Sequence, residues 1–179
     1  TRPDRELRTL ANEIAGSAPT TEERIRRLAP WIQRAFRVYD ESIADSVGGA
    51  QPRPNPSLPD ALRQRAGTSR DASLLFAGLA RSLLLETRLL RVPSRRRLFF
   101  DPNVMMIESS LSRIEIGIRL SGQWYSYGPA TRYLAWDMVP WDEEAHYALL
   151  CDADSSRFLA TPAAPPGRSR VGIAGTLTL

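Results

Sequence analysis

The apolar residues change their spacing near residue 86, and that change decides what class of fold the chain can adopt. Before it they recur at three- and four-residue intervals, as Leu7, Leu10 and Ile14 do in "PDRELRTLANEIAG". The same spacing puts Ile25, Leu28, Trp31, Ile32 and Phe36 on one face of "TTEERIRRLAPWIQRAFRVYD". It recurs as Ala72, Leu75, Phe76, Leu79 and Leu83 in a run from about 70 to 84. That is the period of helices burying one stripe. After it the pattern alternates: Ile114, Ile116 and Ile118 stand against Arg113, Glu115 and Arg119, the signature of a strand with one wet side. Helices first and antiparallel strands afterwards predict an α+β fold, with a buried central helix packed on the sheet.

Punctuation residues set the expected boundaries. Gly16 stops the first helix, and Thr20 or Thr21 caps the second, in which Pro30 predicts a kink or a break. From Glu41 to Pro59 the chain reads as loop, and "GGAQPRPNPSLP" carries four prolines and two glycines, as a lid over a groove would. A short helix over "DALRQRAG" leads into the central one. "TRLLRVP" reads as a strand, "SGQ" as a hairpin turn, and "HYALLCD" and "RFLAT" as two strands split by "ADSS". Residues 1–170 form the expected domain, and the strand-like tail 171–179 reads as the start of a further one. No internal repeat is present.

Composition narrows the partners. No run of about 18 apolar residues could cross a bilayer. A chain that opens at Thr1, without methionine or leader, reads as a piece of a longer or processed protein. All 24 basic residues are arginine, and the net charge of +4 is mild. Arg95, Arg96 and Arg97 form one cluster that could attract an anion or an acidic partner, but nucleic-acid binding calls for a sustained basic stripe with interleaved aromatics. Trp136 and Trp141 flank "DMVP" as packing anchors or as an exposed partner patch. Cys151 is the only cysteine and His146 the only histidine; they leave no zinc-ligand set, and a Cys–His pair competes with a simpler reading of Cys151 as a small buried hydrophobe. No metal or cofactor is expected.

Four stretches, in order, resemble bacterial transglutaminase-like domains. "WIQRAFRVYD" resembles the tryptophan helix that precedes the active site, and "PSLPDALRQRAGTSRDASLLFAGLARSLLL" the signature in which a helix begins at a catalytic cysteine in a G-x-C-x-D turn. "LSRIEIGIRLSGQWYSYGPA" resembles the paired strands, the first headed by the catalytic histidine and the second ending in aspartate before proline. "LAWDMVPWDEEAHYALLCDADSSRFLATP" resembles the trailing segment of large, often exported members. The resemblance implies a papain/transglutaminase-like core and, by family habit, an exported or periplasmic setting.

Carried over residue by residue, the resemblance puts the cysteine position at Ser69, the histidine position at Arg113 and the aspartate position at Gly128. Gly67 and Asp71 match the turn, Thr68 replaces an acid, and Leu84 replaces a glycine that often closes the helix. A serine hydroxyl needs a base within reach; a guanidinium stays protonated and glycine has no side chain. Ser69 is then better read as an N-cap than as a nucleophile. The expectation is a catalytically inactive domain that binds a protein or peptide partner or serves a structural role. Two alternatives stand beside it: a serine amidase, hydrolase or acyltransferase in which Asp71, Glu108 or Glu115 is the base, and an anion or nucleic-acid binder using the arginines. Arg113 is either a solvated strand-edge residue or, with the helix start, part of an anion pocket.

Overall fold

The computed structural model describes residues 5–39, 53–95, 100–103, 110–165, 167 and 175. Helices α1 (Arg5–Ala15) and α2 (Thr21–Ala35) lead to a short strand β1 (Arg37–Val38). Helix α3 (Leu58–Gln64), strand β2 (Ala66–Gly67) and the central helix α4 (Ser69–Ser82) follow. The remaining strands are β3 (Thr87–Val92), β4 (Arg113–Leu120), β5 (Gln123–Tyr127), β6 (Tyr147–Cys151) and β7 (Arg157–Ala160). The helices-then-strands order is the expected α+β arrangement. The tail 171–179 lies outside the described residues apart from Gly175, as do residues 40–52 of the proline-rich loop.

The last five strands form one antiparallel sheet in the order β5-β4-β3-β6-β7. Two residues, Ser121 (φ 47°) and Gly122 (φ 82°), close the β4–β5 hairpin. Two positive φ angles make a tight turn that follows the strands' own twist. One sheet face packs on the helices: Ile116, Ile118 and Tyr127 share a core with Ile25, Leu28 and Ile32 of α2 and Leu75, Phe76 and Leu79 of α4. The ring of Tyr127 meets that of Phe76 edge to face at 5.0 Å. Helix α2 runs unbroken through Pro30, because its buried stripe holds both halves against this core.

The other face is not wet, as the alternation in β4 had suggested. Leu90, Val92, Ala148 and Leu150 make a second cluster there, with Trp124 and Leu159 against it. Gly117 sits in this layer, where a Cβ would meet Leu150, Trp124 and Leu90. Glu115 lies on the same face and is buried. Period-two patterning gives the parity of a strand, not what covers each side.

Two details position the start of α4. Strands β1 and β2 pair in parallel, Arg37 with Ala66 and Val38 with Gly67, which ties the end of α2 to the residues just before Ser69. At the far end the Leu85 N–H reaches the Ala80 carbonyl and the Leu84 N–H the Arg81 carbonyl, both at 3.0 Å, with Leu84 at φ 62°. That is a Schellman close, which favours glycine at the left-handed residue.

Candidate functional site

The sequence from Gly67 to Asp71 builds a saturated turn. Thr68, not Ser69, is the N-cap: its Oγ1 accepts the Asp71 N–H at 3.3 Å, and Asp71 Oδ2 accepts the Thr68 N–H at 2.8 Å. Threonine and serine cap equally well in type; the reciprocal acid three residues after Thr68 selects it. Asp71 also accepts the Thr68 hydroxyl at 2.9 Å and the Asn55 N–H at 3.0 Å. Gly67 is required here, because a Cβ would stand 2.5 Å from both Asn55 Nδ2 and Asp71 Oδ2. Ser69 is therefore the first residue of the helix proper, half-buried. One turn on, the Ser73 hydroxyl donates to the Ile114 carbonyl at 2.8 Å, which fastens the first part of α4 to the head of β4.

Arg113 opens β4, and its Nε lies 3.9 Å from Oε1 of Glu143, in the segment that follows the Trp136–Pro140 stretch. The Arg113 side chain is 43 % exposed, whereas the Glu143 side chain is 1 % exposed. Glu115 faces Glu143 within hydrogen-bonding reach. Gly128, just past β5, adjoins the same group: a Cβ there would lie 3.1 Å from Glu115 Oε2 and 3.0 Å from Pro140 Cδ. So Arg113 and Gly128 meet through two buried carboxyls. The first turns of α4 are tied to the strand head by the Ser73–Ile114 bond.

The electrostatics of this cluster are unusual. Burial pushes Glu115 well above the ordinary carboxylate range, and the neighbouring Glu143 charge adds to it, against the pull of Arg113. Burial raises Glu143 to about 7, with Arg113 opposing. Oε2 of each carboxyl is buried without a hydrogen-bond partner among the described residues. Burial thus favours the protonated form of Glu115, and Glu143, raised to about 7, is poised between its two forms. Neither carboxyl announces itself in the sequence: Glu115 reads as the wet side of a strand, and Glu143 is one of several acids in "WDEEAHY".

The other anticipated site residues scatter. Arg95 donates from Nε to His146 Nε2 at 3.0 Å and from Nη2 to the Glu144 carbonyl at 2.6 Å, and so links two loops. Arg96, Arg97 and Glu108 lie outside the described residues. His146 is buried, and burial with the adjacent Arg95 charge lowers its pKa, which keeps the imidazole a neutral acceptor. It precedes β6 and Cys151 ends it, about 16 Å further along an extended strand, so the two make no catalytic pair. Trp136 packs on the core and meets Tyr125 at 5.5 Å, while Trp141 is 63 % exposed. No group of three or more metal-binding side chains occurs among the described residues, and no described helix is long and apolar enough to cross a membrane.

Comparison with known proteins supplies fold likeness alone. No protein-family model matches the chain, and no curated protein does. The chain is similar in structure to a candidate cysteine protease from Cytophaga hutchinsonii, with TM-score 0.51 and 19% identity over 73% of this chain. A candidate protease from Parabacteroides distasonis aligns over 68% of the chain at 13% identity and TM-score 0.48. The chain spans 39% of the first of these proteins and 22% of the second. The first of these likenesses shows a protease-like fold.

Proposed function

We propose that this chain is a transglutaminase-like domain that has lost its catalysis and works as a protein- or peptide-binding module of a larger bacterial protein. The resemblance of its ordered motifs and the protease-like fold support the family. The observation that carries the loss of catalysis is the fate of the described carboxylates the sequence offers Ser69 as a base. Asp71 is consumed by the cap and by Asn55. Glu115 is buried beside Glu143 on the sheet face away from the helical core. Arg113 brings a guanidinium, turned to Glu143, where a base would stand, and Gly128 brings no side chain.

On this reading a side chain at 128 would crowd the Glu115 carboxyl, whose Oε2 lies 3.1 Å from where a Cβ would stand. A serine hydroxyl whose motif positions for base and orienting acid hold an arginine and a glycine stays a weak nucleophile. Peptide hydrolysis and amine-transfer assays should show no turnover that Ser69→Ala removes. A turnover that disappears with Ser69 would overturn the reading.

A further inference from the structure

Positive charge without a counter-charge gathers at the seam between α2 and the turn that follows β5. The Thr131 N–H donates to the Gly128 carbonyl at 3.1 Å and starts that turn, whose tip is Arg132 and Tyr133. Gln33 of α2 clamps it: Nε2 donates to the Leu134 carbonyl at 2.8 Å and to the Tyr127 hydroxyl at 3.1 Å. The clamp brings Arg132 to a hollow of about 370 Å³ that it lines together with Pro30, Gln33, Arg34 and Tyr133. A second hollow, of about 210 Å³, shares Gln33 and Arg132 with the first and has Phe36, Val38, Pro129 and Ala130 as apolar walls.

The arginines of this groove differ from most others in the molecule. Arg26, Arg27, Arg63, Arg88 and Arg119 each stand against an acid. Arg34 and Arg132 are exposed, make no side-chain ion pair or hydrogen bond among the described residues, and meet no carboxyl in the lining of either hollow. Between them Tyr133 is 94 % exposed at φ 65°, a left-handed conformation that a bulky residue adopts only under constraint. An aromatic ring displayed in that way on a pinned turn fills no core and is available for contact.

From this geometry we infer that the groove receives an acidic segment of a protein partner, with its carboxylates on Arg34 and Arg132, its backbone against Tyr133 and a neighbouring apolar side chain in the second hollow. The inference rests on the partner-binding reading above and names the chemistry of the partner. A guanidinium fork matches a carboxylate with two parallel hydrogen bonds, and two like charges lining one hollow repel until an anion comes between them. Two arginines in a short groove suit a pair of acidic side chains, whereas a nucleic-acid backbone calls for a sustained basic stripe.

The test is titration of the chain with Ac-Ala-Glu-Glu-Leu-Ala-NH2, followed by NMR of the backbone amide and arginine Nε–H signals. The neutral isostere Ac-Ala-Gln-Gln-Leu-Ala-NH2 runs beside it. Saturable binding with shifts at Arg34, Arg132 and Tyr133 is expected, about tenfold weaker for the glutamine peptide. Arg34→Gln and Arg132→Gln should each weaken it about threefold, as exposed ion pairs do, and the double variant about tenfold. Tyr133→Gly should weaken it several-fold without harm to the fold, because glycine suits the left-handed φ. All three side chains are exposed, so their removal leaves the core intact. Equal binding of the two peptides, no saturable binding, or binding that survives the double arginine variant overturns the inference. So does tighter binding of a single-stranded oligonucleotide at the same residues. Ser69→Ala should bind as wild type does. Intact binding alongside a Ser69-dependent turnover upholds this inference and sinks only the inactivity reading; lost binding without turnover sinks only this one.

Discussion

The helix start at Gly67–Asp71 and the strand-end cluster of Arg113, Glu115, Gly128 and Glu143 are both built around buried carboxyls, yet they are finished to different degrees. At the helix start the Asp71 carboxylate has a donor on each oxygen, and even the missing Cβ of Gly67 has a reason. At the strand end two carboxyls share one distant guanidinium, and two oxygens lack partners among the described residues. Polar groups that are fully satisfied specify a fold; buried ones left unsatisfied weigh against it. The helix-start carboxylate is thus the satisfied one, and the carboxyls left open lie on the other face of the sheet.

Substitutions can break this contrast. The largest effect belongs to Asp71→Ala, which strands the Thr68 and Asn55 N–H groups and should cost about 3–4 kcal/mol in urea unfolding. A cost below about 1 kcal/mol would mean that the turn is not the keystone described.

Next comes pH. The folded state raises Glu143 from 4.5 to about 7, so it binds more protons than the unfolded chain across that interval. The contribution is complete below pH 4.5 and is lost as pH rises through 7, worth about 3 kcal/mol. Glu143→Gln should flatten that fall and leave the variant the more stable of the two at pH 8. Parallel pH profiles would remove the carboxyl pair from the account.

Smallest is Leu84→Gly. Leu84 is 93 % exposed at φ 62°, so glycine relieves left-handed strain without losing burial and should stabilise by about 1 kcal/mol, raising Tm by a few degrees. The change lies at the far end of α4 from Ser69 and should leave peptide binding alone.

Much of the fold was legible because its elements are long and periodic. The stripes of α1, α2 and α4 and the alternation of β4 identify themselves, and the hairpin turn is written in Ser121 and Gly122. What escaped is short or tertiary. β1 and β2 have two residues each and no period to read. The helix cap shifted by one residue because Thr68 and Ser69 are both good caps, and only Asp71 chooses between them. Arg113 opens its strand. Its partner Glu143 comes from 30 residues away, and no local pattern tells a buried acid from a solvated one.

The most direct test of the central proposal, that Ser69 is not an activated nucleophile, is labelling by a fluorophosphonate probe of the folded chain beside Ser69→Ala. Equal, background-level labelling of both across pH 6 to 9 is the predicted result. Stoichiometric labelling of the wild type that Ser69→Ala abolishes would contradict it.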